Sequence, residues 1–380
     1  MDVTRTAFGA WNGGRFMNYG EALPDEQWML LVRRAFDRGV RTFLTADVYG
    51  SGGADELLGS ALAGLPRNEY CLVGAVGHDF YTGQRQGSKG FPRFTDPQLR
   101  QPRDFGDYLR MATEKSLARC RAEKFDLLLL HNPDSIGYTN DRVWAGMEKL
   151  VDAGLTDRIG VAPGPANGFT LDMILCFERF GALLDWAMII LNPMEPWPGQ
   201  LVLPAAEKEG IQLITRVVDF GGIFHGDVKE GHKFGTHDHR AFRPAGWVEA
   251  GNSKLDQMRP IAEKHGLSLL QLACIWNLSQ APVKSVVPTL IQEVGGGKAI
   301  EEKLDELGAL PDVKLNEEEI EELGRIGDNR GCMALKGANR GHTTAAEADK
   351  WGITADLEAV GKRWGIDPDQ DLAFSHAGQK

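Results

Sequence analysis

Two residues in this chain end short apolar runs and carry side chains suited to acid and base chemistry: Tyr49 in RTFLTADVYG and His131 in FDLLLLHNPD. A phenol and an imidazole titrate near about 10 and about 6.5, on either side of neutrality, so the pair can give and take protons at a bound substrate. Asp47, two residues before Tyr49, adds a candidate catalytic carboxylate, and Asn132, next after His131, a candidate substrate-binding amide. Between Gly77 and Phe105 lie Arg85, Lys89, Arg93 and Arg100. Lys89 and Arg93 are candidate substrate contacts there, since a mostly basic lid would recruit an acidic or phosphorylated compound. Arg216, and Lys298 after the run Gly295 to Gly297, are candidate phosphate-holding residues. His237 and His239 flank Asp238, but imidazoles two apart in a glycine-bearing loop lack the i, i+4 spacing of a helical metal motif, so no metal is expected.

The elements that must position these side chains are legible as alternating patterns. Apolar runs rich in Val, Ile and Leu predict strands at Thr4 to Ala10, Arg41 to Ala46, Tyr70 to Val76, Phe125 to Leu130, Ile159 to Ala162, Trp186 to Leu191, Ile211 to Val217 and Val283 to Pro288. Helical periodicity separates them, at Asp25 to Arg38, Ala54 to Leu62, Asp107 to Arg121, Asp141 to Ala153, Leu171 to Arg179, Ala205 to Glu209 and a pair within Lys254 to Leu278. Strands each followed by a helix, with right-handed crossovers, close into a (β/α)8 TIM barrel. Tyr49 and His131 then sit at strand ends, on the face where barrel loops build active sites. Long loops follow the third strand (Gly77 to Phe105) and the seventh (Gly221 to Gly251). The expected division is a barrel over residues 1–328 and a C-terminal extension over 329–380, irregular but for one short helix near Asp356 to Arg363.

Composition narrows the partners. Among 380 residues, 42 basic against 53 acidic side chains leave a net charge of −11. Nucleic acid and anionic membrane are therefore poor partners, and a small-molecule substrate is the better one. Five widely spaced cysteines (Cys71, Cys120, Cys176, Cys274, Cys332) form no C-x-x-C pair, so neither a disulfide scaffold nor a zinc ribbon is expected and a reducing cytoplasm fits. No apolar run is long enough to span a bilayer. Assembly into a homo-oligomer is left open.

The motifs resemble those of the aldo-keto reductases. ADVYG followed by ELLGSAL, then DLLLLHNPD, DRIGVA, AAEKEGIQLITRVVDFGG and HGLSLLQLACIWNL recur in that family's order, across Val3 to Gly327. The resemblance implies a TIM barrel, a nicotinamide cofactor (NADP or NAD) and a catalytic tetrad of tyrosine, histidine, aspartate and lysine. Tyr49 and His131 match the first two. The aspartate and lysine positions hold Leu44 and Ala75, and the family's serine and asparagine after the fifth strand are Ala162 and Pro163. The implied function is oxidoreduction of a carbonyl or hydroxyl compound, sugar-like or anionic, with Tyr49 as proton donor. Two alternatives accommodate the missing residues: a redox-neutral lyase, isomerase or hydrolase using Tyr49, His131 and Asp47, or a barrel that binds without catalysis.

Overall fold

The computed structural model describes residues 1–164, 168–330 and 335–372; Cys332 lies outside them. Eight strands form: β1 (Ala7–Gly9), β2 (Thr42–Leu44), β3 (Cys71–Val76), β4 (Leu127–His131), β5 (Ile159–Ala162), β6 (Trp186–Ile190), β7 (Gln212–Arg216) and β8 (Val283–Val287). Neighbours pair in parallel in chain order. The barrel closes where Val286 N donates to Arg5 O at 3.1 Å and Thr6 bridges to Val286. All eight sequence-based strands are present within a few residues of their expected bounds.

The helices are α1 (Asp25–Asp37), α2 (Gly53–Leu62), α3 (Phe105–Cys120), α4 (Ser135–Thr139), α5 (Asp141–Asp152), α6 (Thr170–Phe180), α7 (Leu203–Glu209), α8 (Trp247–Lys264), α9 (Leu269–Leu278), α10 (Ile300–Gly308) and α11 (Glu317–Gly327). Because strand side chains alternate in direction, each strand serves two cores. On β4, Leu128 and Leu130 join the outer core under the helices, while Leu127 and Leu129 join the inner cluster with Val73, Ala75, Met188 and Ile214. His131 continues the inward series 127, 129, 131, and Arg216 likewise follows Ile214.

Two expectations are corrected. Helix α8 begins at Trp247, earlier than Lys254, so it takes the end of what read as the loop after β7; Val248, Gly251 and Leu255 on its buried face carry the helical period that far. The extension also holds more structure than one short helix. A parallel pair, β9 (Gly337–Ala338) and β10 (Lys350–Trp351), precedes α12 (Ala355–Trp364) and a last turn, α13 (Pro368–Asp371). Two-residue strands leave no periodic signature in a sequence. The extension meets the barrel through named contacts: the Trp351 indole donates to Asp172 on α6 at 2.9 Å, the Trp364 indole to Glu178 at 2.9 Å, and the Trp197 indole to Asp371 O at 2.8 Å. No helix among the described residues is long and apolar enough to cross a membrane.

Candidate active site

A cavity of about 220 Å³ opens at the carboxyl ends of the strands, lined by Tyr49, His131, Trp11, Leu44, Ala75 and Arg216 among others. The Tyr49 and His131 rings meet edge to face with centroids 5.6 Å apart, and Trp11 packs edge-on against Tyr49 at 6.3 Å. Leu44 and Ala75, at the positions the resemblance assigns to an aspartate and a lysine, face the same space. These two side chains give the cavity an apolar floor beside the tyrosine.

That environment sets the protonation states. Burial raises the Tyr49 hydroxyl to about 12, partly opposed by the nearby Arg216 charge, so at neutral pH it is a phenol with a proton to give. Burial pushes His131 well below the usual imidazole range, reinforced by His78, Arg216 and Arg93. Its ring is neutral at pH 7. Nδ1 of His131 is enclosed with no hydrogen-bond partner among the described residues, which leaves Nε2 as the nitrogen that can reach a ligand.

Asp47 does not line the cavity. Strand β2 ends at Leu44, and Asp47 lies in the turn that leads to Tyr49; the preceding Thr45 hydroxyl donates to Asp55 on α2 at 2.7 Å. The Asp47 carboxyl is fully buried and accepts a 3.4 Å bond from the Tyr81 hydroxyl. Burial, with Asp55 nearby, holds its pKa well above the carboxylate range.

Lys89 and Arg93 turn toward the C-terminal extension. Lys89 is exposed and pairs with Glu347 at 3.1 Å. Arg93 is buried; it reaches Asp349 at 2.5 Å and donates to the Asn132 carbonyl. Arg100 pairs with Asp79 at 2.8 Å and Arg85 stacks over Phe91. Of the charges that read as a lid for an anionic substrate, Arg93 and Arg100 are thus matched by carboxylates of the protein, while Lys89 and Arg85 stay at the surface. Asn132 does line the cavity, with φ 48°, and its amide nitrogen lies 3.0 Å from His78 Nε2.

Arg216 and Lys298 occupy different places. Arg216 lines the cavity, while Lys298 lines a second recess with His225, Ser268, Arg259 and Glu306, and is paired to Glu306. The run Gly295 to Gly297 wraps a carboxylate of the protein itself: Lys298 N donates to Asp227 at 3.3 Å, and a Cβ on Gly297 would meet that side chain at 3.2 Å. Asp238 between the two histidines binds Arg240 and the Gly20 amide.

The sequence reading passed over His78, which lines the cavity with its ring centroid 5.3 Å from that of His131. Burial, with Arg93 alongside, lowers its pKa to about 3. The criterion that selected His131, an imidazole at the end of an apolar run, applies equally to LVGAVGHD. Tyr19 and Met188 also face the cavity, and neither carries a sequence signal beyond its residue type.

The sequence pattern of the Aldo/keto reductase family matches residues 6–328, so the chain belongs to that family, and its eight-stranded parallel barrel is that family's fold. It is 26% identical to a probable aldo-keto reductase of Glycine max, over 89% of this chain and 90% of that one. Among solved structures, a glycerol dehydrogenase from Gluconobacter oxydans superposes with a TM-score of 0.67 at 24% identity, covering 86% of this chain and 92% of that one. A Klebsiella pneumoniae aldo/keto reductase, determined with NADP and acetate, gives 0.59 at 20% identity over 85% and 91%.

Proposed function

We propose that the protein is an NADP(H)- or NAD(H)-dependent oxidoreductase of a small carbonyl or hydroxyl compound, with Tyr49 as the proton donor. The observation that carries this is the meeting of a protonated phenol and a neutral imidazole at one apolar cavity. The chain's residues are compatible with a nicotinamide cofactor. Leu129, Ala162, Pro163 and Met188 give the cavity an apolar wall suited to a flat ring. Thr289, on the cavity wall, accepts a bond from His225 Nε2 at 2.9 Å, and His225 lines the second recess, so the two spaces are linked through one hydrogen bond. Lys298 and Ser268, both now engaged by Glu306, would hold the phosphate-bearing end there by exchanging that carboxylate for the phosphate, with Arg259 alongside.

When bound, the nicotinamide supplies the hydride for the substrate carbon. His131 orients the carbonyl oxygen through Nε2, and Tyr49 passes its hydroxyl proton to that oxygen as negative charge builds. The phenolate left behind is disfavoured by burial and stabilised by the Arg216 charge, until water restores the proton.

Calorimetric titration with NADPH and NADH tests the cofactor directly. Micromolar affinity, about −8 kcal/mol, is expected for one of them. With a panel of aldehydes and ketones, Tyr49→Phe should lower turnover by about 100- to 10,000-fold while leaving Tm and cofactor affinity in place. Absence of binding by either nucleotide up to about 1 mM would overturn the redox reading and favour acid and base chemistry at the same two residues.

A further inference from the structure

We propose that Arg216 is the anchor for a carboxylate on the substrate, so that the protein acts on carbonyl or hydroxyl acids in preference to neutral compounds. Arg216 ends β7, continues the inward series and lines the cavity with Tyr49, His131 and Tyr19. Its Nη2 donates to the carbonyls of Pro163 at 3.1 Å and Gly164 at 2.5 Å. These two bonds fix the guanidinium but leave its charge unmatched. No carboxylate among the described residues forms an ion pair with it, and no Asp or Glu lines the cavity. Glu195, a carboxylate whose charge acts on it, is engaged by Arg243 at 3.6 Å and by Asn192 at 3.4 Å.

Arg216 is only partly buried, and a partly desolvated cation without a counter-ion is costly unless a ligand completes it. The buried arginines Arg240 and Arg93 are completed internally, the first by Asp238 and Glu293 and the second by Asp349. The difference marks Arg216 as a ligand site. A guanidinium offers parallel N–H donors that match a carboxylate, and Trp11, Leu44, Val73, Leu129 and Met188 on the same wall suit the short carbon skeleton between carboxylate and carbonyl. The backbone reinforces the placement. Val217, the next residue, has φ 59°, a strained value for a β-branched side chain, and its carbonyl accepts from Asn192 at 3.0 Å. This turn sets the direction in which the end of β7 leaves the barrel.

The reaction assigned to the substrate rests on the redox reading, whereas the anchor does not, and the experiment separates them. Benzoate and its neutral counterpart benzamide are titrated calorimetrically into wild type and Arg216→Met, with and without saturating NADPH, and NADPH itself is titrated into both proteins. Wild type should prefer benzoate by about tenfold or more. Arg216→Met should abolish that preference while NADPH affinity stays within about twofold. Arg216→Lys, which keeps the charge without the fork, should retain part of the preference and guards against a folding defect in the methionine variant. Equal binding of benzoate and benzamide by wild type would overturn the proposal. So would an Arg216→Met protein that keeps the preference but loses NADPH, because the charge would then belong to the cofactor phosphates. Turnover of 4-carboxybenzaldehyde against benzaldehyde then reports on the reaction alone: a carboxylate preference in binding without turnover leaves the anchor standing and removes the redox step.

Discussion

The loops after β3 and β7 solve the same problem with the same residue type and reach different ends. Each is organised on a buried arginine. In the β7 loop, Arg240 is 2% exposed, grips Asp238 through 2.9 and 2.8 Å bonds, and holds Glu293 through 2.6 and 2.9 Å bonds. Asp238 in turn accepts from the Gly20 amide at 2.8 Å, so the β7 loop is tied to the loop after β1 and to the segment after β8. In the β3 loop, Arg93 has one carboxylate, Asp349, supplied by the C-terminal extension, and spends its other donors on the Asn132 carbonyl and His78. One loop is thus locked to the barrel, and the other is locked between the cavity wall and the extension. A matched arginine builds a loop; an unmatched one, Arg216, faces the ligand.

The largest effect should come from breaking the doubly matched arginine. Arg240→Met strands two buried carboxylates at once, and removing one partner of such a cluster costs about 3–5 kcal/mol. Denaturant unfolding should show this loss, with the fraction still folded retaining its cofactor affinity. Arg93→Met strands a single carboxylate that is already 26% exposed, so its loss of stability should be smaller, about 1–3 kcal/mol. It should, however, disturb Asn132 and His78 at the cavity. If the two variants lose equal stability, the contrast between the loops fails.

How much of this was legible in the sequence follows from the range of each signal. The strands were legible because buried parallel strands are continuous apolar runs, and Tyr49 and His131 because each ends one. The inward direction of Arg216 is carried by parity with Ile214, but parity holds only within a registered strand: Asp47 and Tyr49 lie beyond the end of β2, and of the two only Tyr49 lines the cavity. The partners of Lys89 and Arg93 were not legible. Glu347 and Asp349 lie more than 250 residues away in sequence, in a segment with no periodic pattern, so nothing local distinguishes a structural cation from a substrate-binding one. The commitment of the glycine run to Asp227 is hidden for the same reason.

Protonation offers a second way to separate cavity from loops. His78 and His225 are held down at about 3, and His131 lies well below its ordinary value, each chiefly by burial. The unfolded chain takes up protons on these rings near pH 6.5, whereas the folded protein does not, so stability present above about pH 6.5 is lost as the pH falls toward 3. Each histidine contributes a slope of up to about 1.4 kcal/mol per pH unit. Replacing His131 with Asn should reduce the slope of stability against pH between about 6 and 4 by one proton. An unchanged slope would mean that His131 titrates normally in the folded state, and the neutral, orienting imidazole would have to be abandoned.

The smallest effect is predicted at Lys89, where the sequence reading placed a substrate contact. Its ammonium meets Glu347 with both side chains more than half exposed, and pairs of that kind contribute little because water competes for both charges. Lys89→Ala should leave stability within about 0.5 kcal/mol of wild type. If Arg216 alone receives the anionic group, the benzoate preference should also be unchanged in this variant, and the dependence of benzoate affinity on ionic strength should match wild type. A drop in the preference together with a flatter salt dependence would return Lys89 to the role of recruiting charge at the cavity entrance. The boundary between matched and unmatched cations would then have to be drawn by the reach of the β3 loop in solution, since the Glu347 pair would be too weak to hold the lysine away from a passing anion.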